Sequence, residues 1–327
     1  MTNSILKKFK LKSVLINLLF IVSMFFLLKN PSDNMQSISN GLSLWLINIV
    51  PSLFPFIFLT KLYSNLDESS CGKVSQIYSK IFRLPKESFK IFFMSIVSGY
   101  PIGAKLVSDY YNNKILSSNE TTNVSILCST SGPLFVIGTV GVSLFLSIKA
   151  GIIIFVSHII GTIINSFIYT KKTNYTNNEI KFTQGKKPEN ILSSSMLDSI
   201  TSILVVGGFV AVSSLLIDIF SRLKIYTLFV DGLNLFIGNE EVSSSIINGL
   251  FEITRGCKDL SCINIPLSTK TNIASFLISF GGLSILLQSF SFLEKGQVDK
   301  KKYIFSKLTQ GMISFIVSSL ITRLFVL

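Results

Sequence analysis

The sequence predicts an all-α integral membrane protein with about seven transmembrane helices and two re-entrant helical hairpins, arranged as two inverted-topology repeats. Three observations carry this expectation. Of 327 residues, 48% are hydrophobic and only 14% charged, against about a quarter charged in an average soluble domain. Apolar runs recur along the whole chain, with basic residues gathered between them. The two halves carry glycine-containing motifs at matching intervals, the mark of repeat-built transporters.

The composition also excludes function classes. Mean hydropathy is +0.57, and 28 phenylalanines accompany a single tryptophan and a single histidine. A net charge of +13 in a soluble chain would suggest nucleic acid. Here the cations sit between apolar runs and form no basic-plus-aromatic patch, so the expected partner is the lipid bilayer and not nucleic acid. No GxxxxGK[ST] loop supplies an ATPase. Cys71, Cys128, Cys257 and Cys262 form neither a CxxC pair nor a metal-ligand spacing, and read as isolated thiols. No metal or cofactor is expected, and a coupling ion is left open.

The elements follow in chain order. The start, MTNSILKKFKLK and then the apolar run 13–28, lacks a small-x-small cleavage site and reads as a retained first helix. Further runs near the length of a bilayer core lie at about 41–62, 121–146, 150–169, 199–220, 271–293 and 303–327. Two stretches, about 91–117 and 246–268, are interrupted by Gly, Pro and charge, and read as hairpins that enter and leave on one side. Segment 63–90 pairs Ile77, Ile81, Phe82 and Leu84 with Lys73, Lys80, Arg83 and Lys86, as an interfacial helix would. The polar, Asn-rich stretch 171–198 reads as a flexible cytoplasmic linker dividing the chain.

Charge tests this topology. With the N-terminus inside, segments 1–12, 63–90, 171–198 and 294–302 carry 4, 5, 5 and 4 Lys/Arg. The segments left outside hold Lys29, Lys149, Arg222, Lys224, Lys258 and Lys270. That three-to-one excess follows the positive-inside rule. Full spans at both interrupted stretches would push 171–198 outside.

The repeat is read from spacing. From Asn48 to Gly99 is 51 residues, and from Ile200 to Gly249 is 49; from those glycines to Gly132 and Gly281 is 33 and 32. Lys105 lies six residues past Gly99, and Arg255 six past Gly249.

These positions carry the candidate site. In Ser98-Gly99-Tyr100-Pro101-Ile102-Gly103-Ala104-Lys105, glycine permits a reversal and proline suits the first position of a new helix. A half-helix from Pro101 would aim free N–H groups at the membrane centre, where they attract anions. Ser131-Gly132-Pro133 repeats the device, with Ser131 as cap. Lys105 and Arg255 are cations in apolar segments, costing about 2.5–3.5 kcal/mol on insertion scales unless they face a cavity or partner. Snorkelling Lys105 and an Arg255–Glu252 pair on one helix face are the plainer readings. Glu252 is alternatively a coupling-proton carrier. Gln288, past the Gly281-Gly282 break, could reach the cavity. Asn48, Ser129, Thr130, His158, Asn165 and Gln310 are further polar intramembrane groups, His158 being read mainly as a packing contact. No nucleophile–base–orienter set, carboxylate pair or metal cluster is visible, so no enzyme is expected.

The blocks GLSLWLINIVPSLFPFIFLTKL (41–62), SGYPIGAKL (98–106), TSGPLFVIGTVGV (130–142), GLFEITRG (249–256) and SFGGLSILLQ (279–288) resemble the YlbJ, or SpoVV, family of sporulation integral membrane proteins. That family belongs with nucleoside-recognition (gate) domain proteins, similar in plan to concentrative nucleoside transporters. The resemblance implies gate-like repeats at 41–170 and 199–293, between an anchor helix and external loop at 1–40, the 171–198 linker, and a basic loop with C-terminal helix at 294–327. It further implies transport of dipicolinic acid across the outer forespore membrane. A small organic anion, dipicolinate, is therefore the expected partner, with homo-oligomer formation left open. A nucleoside or nucleobase transporter and a non-transporting scaffold of a sporulation complex are the alternatives.

Overall fold

The structure, a computed structural model, describes residues 17, 21, 24–66, 72–170, 190–293 and 298–325. Most of the expected first helix, Cys71 and residues 171–189 of the expected linker lie outside these. The described chain is all-helical and reads as a multi-pass membrane protein. Among the described residues, five helices are long and apolar enough to cross a bilayer.

Helix α1 runs unbroken over Pro31–Leu66. Pro31 starts it, because a proline at the first helical position leaves no N–H unpaired, and Asp33 sits in the first turn. The stretch expected as an external loop up to residue 40 is therefore helix. Trp45–Ile49 winds as a π-helix just before Pro51, which has no N–H to offer the carbonyl four residues back.

α2 (Gly72–Phe82) is the expected amphipathic helix; it turns Tyr78 and Phe82 inward and Ile77 and Ile81 outward. α3 (Ser88–Ser98) and α4 (Ile102–Asn112) form the first hairpin. Gly99, at φ 75°, makes the reversal, and a Cβ on Gly103 would sit 3.0 Å from Ser95 Cβ on the opposite arm.

The run 121–146 is not one span. α5 (Ser118–Leu127), opened by a Ser117–Glu120 capping box, and the π-wound α6 (Leu134–Leu144) are half-length helices. Residues 128–132 between them are non-helical. α7 (Ile148–Tyr169) then crosses.

α8 (Ile191–Ser221) begins inside the expected linker, because the Asn190 side chain accepts from Ser193 N–H and starts the helix there. α9 (Lys224–Ile237) occupies what charge counting left as an external loop. At 14 residues, about 21 Å, it is too short to register as a span. α10 (Glu240–Phe251) and α11 (Ile253–Cys262) form the second hairpin. There a Cβ on Gly256 would strike Gly249 of the opposite arm. α12 (Leu267–Phe280) and α13 (Gly282–Leu293) are separated at Gly281, which has φ 89°. α14 (Lys300–Leu324) closes the described fold.

The order long helix, hairpin, broken helix, long helix thus occurs twice. Each hairpin tip rests on a break: Gly99 against Gly132, and Gly282 against the carbonyls of Gly249, Leu250 and Phe251. The long helices pair antiparallel. Gly41 meets Ser214 and Ala211, while Trp45 lies on Gly207 and donates from Nε1 to the Ile203 carbonyl at 3.1 Å, joining α1 to α8. Gly161 packs on Ser314, and Asn165 Nδ2 donates to the Ser306 carbonyl at 3.0 Å, joining α7 to α14.

Candidate functional site

Three polar levels line the α1–α8 wall. The first is a cavity of about 470 Å³ bounded by Asn40, Ser43, Asn48, Ser214, Arg255, Lys258 and Asp259. This is within the size range of small-molecule sites. Arg255 does not pair its guanidinium with Glu252. It crosses to Asp218 on α8, Nη2 to Oδ1 at 2.7 Å. Glu252 instead caps α11, accepting from the Arg255 backbone N–H at 2.7 Å and from Thr254 Oγ1 at 3.0 Å. The expected pair fails because the chain is extended at Glu252, so the two residues do not share a helix face. Asn248 Nδ2 holds Asp259 at 2.8 Å. Ser214 Oγ is buried without a hydrogen-bond partner.

About one helical turn deeper lies a cavity of about 30 Å³, lined by Leu53, Tyr100, Ser131, Val210, Glu252, Thr254 and Gln288 among others. Both hairpin tips, the 128–132 break and α13 contribute to it. It has room for a water or two and none for an organic ligand. Gln288 is buried and donates to Ser284 Oγ at 3.0 Å. Four expected site residues, Tyr100, Ser131, Glu252 and Gln288, therefore share one wall.

Below this, Lys105 Nζ donates to Ser202 Oγ at 2.9 Å and reaches the Asp198 carbonyl at 3.5 Å. Lys61, 5% exposed, pairs with Asp109 at 3.5 Å. Ser98 is hydrogen-bonded to Thr60 and donates to the Phe56 carbonyl at 3.2 Å. Lys105 and Arg255 thus belong to different ends of the wall, not to one cradle.

The breaks are stabilised by side chains from other helices. Ser131 does not cap α6; its N–H donates to His158 Nε2 at 2.9 Å. Since Nε2 accepts, Nδ1 carries the hydrogen and donates to Ser279 Oγ at 2.8 Å. Pro133 and Pro101 each stand one residue before their helix, as the N-caps of α6 and α4. Gly103 packs its α-carbon on the Cys128 carbonyl, and Gly281 neighbours Lys307.

Sequence reasoning missed Lys307, Asp218 and Lys258. Lys307 falls in an apolar run, so the insertion-cost argument that singled out Lys105 applied to it equally. Asp218 carried the same signal at the end of its span. Lys258 was counted only as an external loop charge.

No protein-family pattern matches the chain, and no solved structure matches it. It does align with the sporulation integral membrane protein YlbJ of Bacillus subtilis (strain 168), at 26% identity over 332 residues, covering 91% of this chain and 81% of that protein. The chain is therefore a distant homologue of the YlbJ family of sporulation integral membrane proteins.

Proposed function

We propose that this protein is a carrier for a small organic anion, with dipicolinate the substrate that best fits its chemistry, acting in the outer forespore membrane. The observation that carries the reading is the 470 Å³ cavity with Arg255 and Lys258 on its wall. A flat dianion needs two cationic or N–H-rich partners, and a planar guanidinium matches a carboxylate in two parallel hydrogen bonds. The relationship to YlbJ, whose name places it in sporulation, supports the setting.

The path runs along α1 and α8. Arg255 and Lys258 receive the anion at one end, and Lys61 and Lys105 stand beside Ser202 and Asp109 at the other. Between them the hairpin tips, at Tyr100 and Glu252, and Ser131 of the first break close the way. A carboxylate at Glu252 repels a dianion, so passage requires Glu252 to take a proton or the second tip to withdraw. Alternating access by two inverted repeats provides that movement. The antiparallel α1–α8 and α7–α14 pairs support such a relation between the halves. The positive-inside charge count supports placing the Lys61–Lys105 end in the mother-cell cytoplasm.

The test is uptake of labelled dipicolinate into vesicles containing the protein, with uridine as competitor. Uptake that uridine leaves untouched supports the anion carrier. Uridine transport without dipicolinate uptake would favour the nucleoside reading, for which Tyr100, Ser131, Thr254 and Gln288 supply uncharged hydrogen-bonding groups. Silence for both would leave a scaffold.

A further inference from the structure

Lys307 is 1% exposed and sits where the first hairpin tip meets the two breaks. Its Nζ lies 2.6 Å from Tyr100 Oη, 2.9 Å from Gln310 Oε1 and 3.2 Å from the Ser129 carbonyl oxygen. The centroid of the Tyr100 ring is 4.8 Å away. An ammonium has three donors and no acceptor, and it meets three oxygens.

Among the described residues, no carboxylate pairs with Lys307. Its titratable neighbours supply no countercharge either. From α7, His158 is neutral because its Nε2 accepts a backbone N–H. From the hairpin tip comes Tyr100, and from α14 itself Tyr303, which is hydrogen-bonded to Ser129 Oγ at 2.8 Å; phenols are neutral near pH 7. A buried charge without a counter-ion is costly unless oxygen dipoles surround it. Backbone carbonyl, amide and hydroxyl oxygens converging on one point are the ligands that a dehydrated alkali cation takes.

We propose that Tyr100, Ser129 and Gln310 form a monovalent-cation site which the chain fills with its own tethered ammonium. The cation bridges the first hairpin tip to the 128–132 break. A free ion bound there could leave and release the tip; Lys307 cannot. The fold at this junction therefore needs no sodium or potassium. This holds whether or not the chain carries an anion, so its test does not depend on transport.

The experiment is thermal unfolding of the purified full chain in sodium, potassium, methylammonium or choline chloride at equal ionic strength. The wild type should unfold at the same temperature in all four. Lys307→Ala should unfold about 5 °C lower in choline, and sodium or methylammonium should restore it saturably. Lys307→Met, which fills the space with an apolar chain, should not be restored. Three outcomes would overturn the proposal. One is wild-type protein stabilised by sodium over choline. Another is Lys307→Ala unfolding alike in every salt. The third is Lys307→Ala failing to fold in every salt while Lys307→Arg folds, which would mean charge is needed but no free cation can replace it.

Discussion

His158 accepts the backbone N–H of Ser131 at 2.9 Å, and through its other nitrogen reaches Ser279 at 2.8 Å. One ring from α7 therefore links the break at 128–132 to the end of α12, just before the break at Gly281. Unwound backbone is tolerated at membrane depth only when its polar groups find partners inside the protein. His158 is such a partner.

Removing it should strand the Ser131 N–H. His158→Ala is expected to cost about 1–3 kcal/mol, read as a lower unfolding temperature of the detergent-solubilised protein. Ser279→Ala should cost less, because it leaves the Ser131 bond intact. Wild-type unfolding of His158→Ala would show that the ring does not support the break.

Arg255 and Asp218 test the anion reading directly. Arg255→Ala should lower dipicolinate uptake at least about tenfold, since an arginine–carboxylate contact contributes roughly 1.5–3 kcal/mol. Asp218→Asn keeps the guanidinium and removes its competitor, so uptake should persist. Equal loss in both, with normal membrane insertion, would make the pair a brace between α8 and α11.

At the opposite end, Lys105→Ala should insert normally and carry dipicolinate much more slowly. Ser202→Ala, which frees the lysine without removing its charge, serves as the comparison. Unchanged uptake by Lys105→Ala would take that residue off the path.

Two glycines at positive φ differ in both backbone strain and collision. Gly99, at φ 75° and ψ −168°, is in a region essentially closed to other residues, and its Cβ would strike Gly132; Gly238, at φ 70° and ψ 18°, is left-handed with open space around it. Gly238→Ala should cost about 1–2 kcal/mol. Gly99→Ala should cost more and prevent accumulation in the membrane.

Cysteine labelling reports the closed middle. Ser43 is exposed on the wide cavity, whereas Ser98 and Ser131 are buried. Ser43→Cys should react quickly with a water-soluble thiol reagent and be protected by dipicolinate. Ser98→Cys and Ser131→Cys should react only as the tips move apart. Fast, ligand-independent labelling at Ser131 would mean the middle is open.

The turning points of this fold were written in its glycines and prolines. Gly99, Gly132 and Gly281 mark real interruptions, because each lies at or beside a backbone reversal or a contact with no room for a side chain. The sequence could not reveal which helix lies against which. Arg255 finds Asp218, 37 residues away, only because α11 packs beside α8. Lys307 meets Tyr100, 207 residues away, only because α14 crosses behind the first tip. Lys105 and Arg255 occupy matching places in the sequence, yet the helix pairing carries them to opposite ends of one wall. Short helices such as α9 escaped for another reason: length was the criterion, and 14 residues do not meet it.

Helix α1 has 36 residues, about 54 Å at the usual rise, against a hydrocarbon layer of about 30 Å. Tilting alone would need an angle well beyond the usual range of up to about 40°, so part of α1 must project. Its first ten residues, PSDNMQSISN, are polar enough to be that part, a post of about 15 Å met by Arg222 from the end of α8, near Asp33 and Asn34. The upper wall of the wide cavity, from Asn40, is built at the foot of this post. On the proposed anion-carrier reading, this sets the chamber near the headgroups, where a dianion would exchange its hydration shell for Arg255 and Lys258 one water at a time. The barrier to such a solute would then begin beneath, where Tyr100, Ser131 and Glu252 line a space of only about 30 Å³.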